Sequence, residues 1–309
     1  PVIFRRRTSD EMNRLTLATL FAGARLIAAE VPHPPIVLIV ADDMAYADLS
    51  CYGGTTRTPH IDSLAREGVR FTRFYANAPE CTPTRTALLT GRYPQRVGGM
   101  ECALGTGNVG RYDDAIQLRA VRELGLPVAE DTLVAGLKRA GYRTVLSGKW
   151  HLGYESKFSP VAHGFDESFG PNAGGVDYFH HTEWDGGPAL FENGRPVQRE
   201  GYLTGLITDF AVRAIGRRDD PRPLFLYLPY TPPHTPYQGP GDKRAAPVLE
   251  PDWNTGTRAT YAAMVQSLDA GVGRILRALE QRGLRDNTLV IFMSDNGGTA
   301  IANSGRYSG

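Results

Sequence analysis

Five short clusters carry the side chains able to do chemistry: Asp42-Asp43, Cys81 with Arg85, Lys149 with His151, His234, and Asp295-Asn296. Asp42, Asp43, Asp295 and the Asn296 amide offer only oxygen donors. Three carboxylates brought together repel unless a cation sits among them, and an all-oxygen set suits a hard divalent ion. Calcium accepts irregular oxygen shells most readily, with magnesium the alternative. Taken singly, Ala-Asp-Asp reads equally as a solvated turn or helix cap, and Ser-Asp-Asn-Gly-Gly as an Asn-Gly turn. Cys81 stands just before a short helical stretch over 84–90, with Pro83 in its first turn and Gly91 past its end. A helix start exposes unpaired N–H groups and attracts anions, and Arg85 adds a planar fork suited to a tetrahedral oxyanion. Lys149, His151 and His234 add further donors. The set therefore describes a sulfate or phosphate pocket facing a metal, with Cys81 as a thiol of lowered pKa and good access; the bland alternative, commoner for a lone cysteine, is a small buried apolar thiol.

These residues are scattered, so the fold must gather them. Residues 36–40 form a continuous apolar strand pattern, and 61–67 a helix that stops at Gly68. Residues 69–76 alternate as a strand, Asp131 opens a helix closed by Gly141, and 142–146 is the next strand. A helix over 204–216 precedes the strand 223–230, and a long amphipathic helix over 258–282 feeds the strand 289–293. Such alternation predicts an α/β domain with a mostly parallel central sheet and helices on both faces. Asp42 follows the first strand, Lys149 the 142–146 strand, His234 the 223–230 strand and Asp295 the last. Ligand sites in such sheets form at the carboxyl edge, where these ends converge.

Composition narrows the classes. The 34 Lys and Arg nearly balance 33 Asp and Glu, which gives no global electrostatic case for nucleic acid or an anionic membrane. Three cysteines form neither a disulfide framework nor a zinc set, and Cys51 and Cys102 read as small buried thiols. Residues 1–33 read as a leader: Met12-Asn13-Arg14, the apolar run 15–21 and Ala22-Gly23-Ala24 have the form of a secretory signal, which places the protein in the periplasm or outside the cell. The rival reading is an ordinary N-terminal helix. No later apolar run is long enough to span a bilayer. His60 reads as a capping or packing residue and His163 as a loop organiser. Asp177, His180, His181 and Trp184 lie in a stretch that lines a substrate pocket or is a solvated loop.

CTPTR followed by TALLTGRYPQR resembles the signature of the sulfatase family, in which the cysteine is oxidised after translation to Cα-formylglycine. IVLIVADDMAYADLSCYGG, TPHIDSLAREGVRFTRFYA, GYRTVLSGKWHLG, HGFDESFG, FLYLPYTPPHTPY and VIFMSDNGG extend the resemblance over roughly residues 35 to 300. The resemblance implies an alkaline-phosphatase-like domain, here residues 34–309, that hydrolyses sulfate monoesters. Cys81, converted by a maturation enzyme, would supply a hydrate whose one hydroxyl attacks sulfur and whose other later expels sulfate. Asp42, Asp43, Asp295, Asn296 and modified Cys81 would hold the metal. Arg85 would hold the hydrate, Lys149 contact the sulfate, His151 deprotonate the hydrate and His234 protonate the leaving alcohol. Thr84 departs from the usual serine but keeps a hydroxyl.

The family carries a further lysine and a C-terminal subdomain, and no Lys follows Lys243 here. The expectation is thus a catalytic domain incomplete at its C-terminus, with an open sheet edge, poor solubility and weak or no activity alone. Alternatives are a phosphoester or phosphonate hydrolase, or an inactive anion-binding module. Specificity is expected from loops 98–130 and 171–202, and a sulfated carbohydrate is the preferred substrate.

Overall fold

Strand β2 (Ile36–Ala41) shows why the sheet is buried on both sides. Val37, Ile39 and Ala41 point into one core, and Leu38 and Val40 into another, so the run has no polar alternation. The computed structural model describes residues 2–5, 33–105 and 113–302. Its strands are β1 (Val2–Arg5), β2, β3 (Gly68–Phe71), β4 (Arg143–Ser147), β5 (Glu167–Pro171), β6 (Leu190–Glu192), β7 (Arg195–Pro196), β8 (Leu224–Pro229) and β9 (Leu289–Ser294). They form one sheet in the order β3-β1-β9-β2-β8-β4-β5-β6-β7. The centre, β9-β2-β8-β4-β5, is parallel throughout, while β1, β3, β6 and β7 pair antiparallel at the flanks.

Helices α1 (Pro59–Glu67), α5 (Leu203–Gly216) and α6 (Arg258–Gln281) cover one face, where Ile61, Leu64, Ile207, Ala211, Leu268 and Ile275 pack on β2, β8 and β9. Helices α2 (Cys81–Thr90) and α4 (Leu133–Arg139) lie on the other with Trp150 and Phe165; α3 (Asp113–Ala120) follows a loop. Thr132 and Thr257 cap α4 and α6 by accepting from the N–H groups of Ala135 and Thr260.

The expected α/β class and its mostly parallel sheet are found, with differences in detail. The strand expected over 69–76 ends at Phe71. The helix expected to start at Thr84 starts at Cys81, with Glu80 as its N-cap, and the one expected from Asp131 starts at Leu133. β5, β6, β7 and α3 were not foreseen. Strand β9 is no edge, because β1 pairs along its outer side. Apart from that strand and His33, the leader expected over 1–33 lies outside the described residues. Among the described residues no helix is long and apolar enough to cross a membrane.

Gly148 joins β4 to the Lys149 segment at φ 136°, and a Cβ there would lie 1.9 Å from the Pro229 carbonyl oxygen. Side chains are strained at that φ and the neighbour is backbone, so neither defect relaxes cheaply. Gly148→Ala is therefore expected to lower unfolding free energy by at least about 3 kcal/mol, read by urea denaturation. An unchanged midpoint would show that the β4–β8 junction has slack the geometry denies.

Candidate active site

Four adjacent parallel strands deliver their following residues to one rim. Asp42 N–H donates to the Pro232 carbonyl, Lys149 N–H to Pro229, and Asp295 N–H to Ala41, so the turns are extensions of the strand ladder. All five expected clusters meet there.

Arg85 lies at the centre, fully buried on the inward side of α2. Its Nη2 donates to Asp42 Oδ1 at 3.1 Å and Asp295 Oδ2 at 2.8 Å, its Nε to Asp295 Oδ2 at 3.2 Å, and its Nη1 to the Lys149 carbonyl at 3.3 Å. Lys149 Nζ donates to Asp42 Oδ2 at 2.6 Å and to Cys81 Sγ at 3.3 Å; Sγ is 3.4 Å from Asp42 Oδ1. Asp295 Oδ1 accepts from the backbone N–H groups of Asp43 and Asn296. Burial works to raise Asp42, but Lys149, His234 and Arg85 outweigh it and hold its carboxyl below the usual range. Burial and the negative charge of Asp42 push Asp295 up, to about 6. Burial opposes the charge on Lys149, yet Asp42 beside it raises its pKa.

One expectation for Cys81 is overturned. It is only 5% exposed, and burial together with the Asp42 charge pushes its thiol well up, against the effect of Lys149. A helix start does not activate a sulfur sealed beside a carboxylate. As a plain thiol it is a poor nucleophile.

Both site histidines have one ring nitrogen tied to backbone. His234 Nδ1 donates to the Thr235 carbonyl at 2.7 Å, leaving Nε2 3.6 Å from Asp43 Oδ2. His151 is buried at φ 53°; its Nε2 bonds the Leu104 carbonyl, and its Nδ1 has no partner among the described residues. Burial, then the charge of Lys149, pushes His151 well below the ordinary histidine range.

Residues not foreseen brace this rim. Tyr178 donates its hydroxyl to the His234 carbonyl at 3.1 Å, and Ser294 Oγ accepts from Met44 N–H. Gly174 lies so close to the His151 ring that a Cβ there would be 2.7 Å from Cε1. Asn-Ala-Gly-Gly-Val-Asp after β5 was the available signal. Asp177 does not line a pocket with free oxygens. Fully buried, it accepts from the N–H groups of Phe179, His180 and Val248 and from Gln238 Nε2. His181 bonds the Gly201 carbonyl, and Trp184 is 39% exposed. His60 is a packing position, its N–H donating to Asp269. His163 is buried with its ring 5.2 Å from that of Trp150. Thr84 donates to the Ala78 carbonyl, shaping the approach to Cys81. Cys102 is buried and Cys51 half-buried.

The residues fit a divalent cation. Oxygens of Asp42, Asp43 and Asp295 lie within 4.8 Å of one another, and Asn296 Oδ1 is buried without a hydrogen-bond partner among the described residues. Three carboxylates against Arg85 and Lys149 also leave one excess negative charge.

The sulfatase family profile matches residues 34–307. The chain belongs to the sulfatase family. Among curated sulfatases, human N-acetylgalactosamine-6-sulfatase is 34% identical over 89% of this chain and 52% of its own length. Klebsiella aerogenes arylsulfatase is 30% identical over 93% of this chain and 71% of its own. The crystal structure of Ps i-CgsB superposes with a TM-score of 0.72 at 35% identity, covering 88% of this chain and 60% of that one. A phosphonate monoester hydrolase of Agrobacterium radiobacter shares the fold at TM-score 0.55 and 20% identity, over 86% of this chain and 63% of its own. The chain spans about half the length of the first curated relatives it matches.

Burial holds His163 at about 4, below the ordinary 6.5. The unfolded chain therefore takes up a proton that the folded ring refuses, and stability falls as pH drops from 6.5 toward 4. The His163→Gln variant is expected to lose this component. Its unfolding free energy should gain on the wild type by about 1 kcal/mol per pH unit across that window in denaturant titrations. Parallel pH curves would show the ring to be solvated.

Proposed function

We propose that this chain carries the catalytic centre of a sulfuric ester hydrolase that cleaves sulfate monoesters, with sulfated carbohydrates as the substrate class. The observation that supports this most is the placing of Cys81 Sγ between Lys149 Nζ and Asp42 Oδ1, at 3.3 and 3.4 Å, at the start of α2. Since the thiol itself is buried and protonated, chemistry at this atom calls for its replacement by oxygen. Converted to Cα-formylglycine and hydrated, position 81 supplies one hydroxyl to attack sulfur and a geminal hydroxyl to release sulfate afterwards. Asp42, Asp43, Asp295, Asn296 and the modified residue 81 would hold one divalent ion, calcium foremost, which lowers the pKa of bound hydroxyls and polarises sulfate oxygens.

Arg85 keeps Asp42 and Asp295 ionised and side by side. Lys149, anchored by Asp42, is positioned to take a sulfate oxygen and to offset charge developing on it. His234 has its Nδ1 committed to Thr235, so Nε2 faces the rim and is the atom that would hand a proton to the departing alcohol. His151 is neutral in its buried setting and offers Nδ1 as the acceptor for the hydroxyl proton when sulfate leaves. With a divalent ion the local charge becomes positive by one, which a sulfate monoester monoanion neutralises. The carbohydrate preference draws on the relatives: one is named for N-acetylgalactosamine 6-sulfate, and Ps i-CgsB has been solved with k-i-k-neocarrahexaose. Exposed Trp184 offers a face for a sugar ring. Export to the periplasm or medium, by the 15–24 signal pattern, and conversion of Cys81 by a maturation enzyme complete the reading.

Co-expressed with a formylglycine-generating enzyme, the protein is expected to release 4-nitrophenol from its sulfate ester at least about tenfold faster than from its phosphate ester. Cys81→Ala should lose at least about a thousandfold. Mass spectrometry of residues 79–92 from the native host should find an aldehyde, and the mature N-terminus should follow the leader. Phosphate preference, or an intact thiol in active protein, would refute the proposal.

A further inference from the structure

Thr82, one residue beyond Cys81, is fully buried and belongs to no part of the mechanism above. Its Oγ1 donates to the His151 carbonyl at 3.0 Å and accepts from the Leu104 N–H at 3.1 Å. The Leu104 carbonyl in turn bonds His151 Nε2. These contacts close a ring through three segments: the first turn of α2, the 98–105 loop and the residue that follows Lys149-Trp150. A carbonyl only accepts, so Nε2 must carry the hydrogen and Nδ1 must keep its lone pair. Nδ1 is buried with no partner, so no competing bond inside the described protein occupies that lone pair.

We propose that Thr82 is a positioning residue which, by fixing the Leu104 peptide, locks His151 as the Nε2–H tautomer and reserves Nδ1 as its proton-accepting atom. The hydroxyl does two jobs that no aliphatic side chain reproduces. As acceptor it holds the Leu104 N–H in the Ala103–Leu104 peptide, anchoring residue 104 on one side while its carbonyl, in the next peptide, meets His151 Nε2. As donor it holds the His151 main chain at its positive φ, where the ring would otherwise turn with its backbone. Leu104 contributes through its backbone, so a side-chain change there would leave the lock in place, whereas residue 82 must be Thr or Ser. Because Thr82 Oγ1 bonds the His151 carbonyl and the Leu104 N–H and, among the described residues, neither the cations nor the carboxylates of the sulfate pocket, its effect should fall on proton transfer more than on substrate binding. This rests on the reading of His151 as the base for sulfate release, but the tautomer itself is independent of that reading.

Nitrogen-15 NMR on the full chain tests it, with the His151 signals assigned by their loss in His151→Gln. The wild type should show a protonated, pyrrole-type Nε2 and an unprotonated, pyridine-type Nδ1 at neutral pH; the reverse pattern overturns the proposal without any variant. Thr82→Ser should keep that pattern. Thr82→Val, similar in volume, should give a mixture of tautomers and, at equal aldehyde content by mass spectrometry, lower kcat about 10-fold to 100-fold with KM within about twofold. If Val keeps the wild-type tautomer, or Ser loses as much as Val, the lock is not Thr82. Should the wild type show the expected tautomer yet release no sulfate from 4-nitrophenyl sulfate, the functional reading fails while the lock stands.

Discussion

A guanidinium sealed between two carboxylates is the constraint from which the rest follows. Arg85 reaches Asp42 at the end of β2, Asp295 at the end of β9 and the Lys149 carbonyl after β4, all by direct hydrogen bonds. Buried ions are costly to desolvate, and removing one partner strands the others, which typically costs about 3–5 kcal/mol. The arrangement persists because each charge has several partners: Asp42 takes Arg85 and Lys149, Asp295 takes Arg85 and two backbone N–H groups. It binds helix α2 to three strand ends, and so fixes where residue 81 sits.

That position explains the odd chemistry of Cys81. Close packing against Asp42 makes the sulfur inert as a thiol, yet it places whatever atom replaces sulfur beside a lysine and three carboxylates. The same site that suppresses a thiolate would, on the proposed reading, suit a hydroxyl activated by a cation. His151 and His234, on the segments that follow β4 and β8, each have the ring committed at one nitrogen by a backbone carbonyl, which sets which nitrogen is free.

Much of this was legible. The apolar runs of β2, β8 and β9 announced strands buried on both faces, and polar clusters placed directly after them announced the rim, because parallel strands share a carboxyl edge. What stayed hidden has physical causes. β5 reads Glu-Ser-Phe-Gly-Pro, with too little β propensity to stand out, and forms because β4 offers it a free edge. The β6–β7 hairpin did carry a signal, Asn193-Gly194, both with positive φ in a two-residue turn. Sequence left the burial of Cys81 undecided, because it says where a helix starts, not what seals it. Nor could spacing reveal the roles of Thr82, Gly174 and Tyr178, which act through contacts between distant loops.

The convergence of carboxylates from β2 and β9 is tested most directly by calorimetric titration with calcium in a chelator-treated sample. One ion per chain should bind to the wild type, and none under the same conditions to Asp43→Asn, whose fold the half-buried position leaves intact. Equal binding by both proteins, or none by either, would contradict a cation centre built from these strand ends.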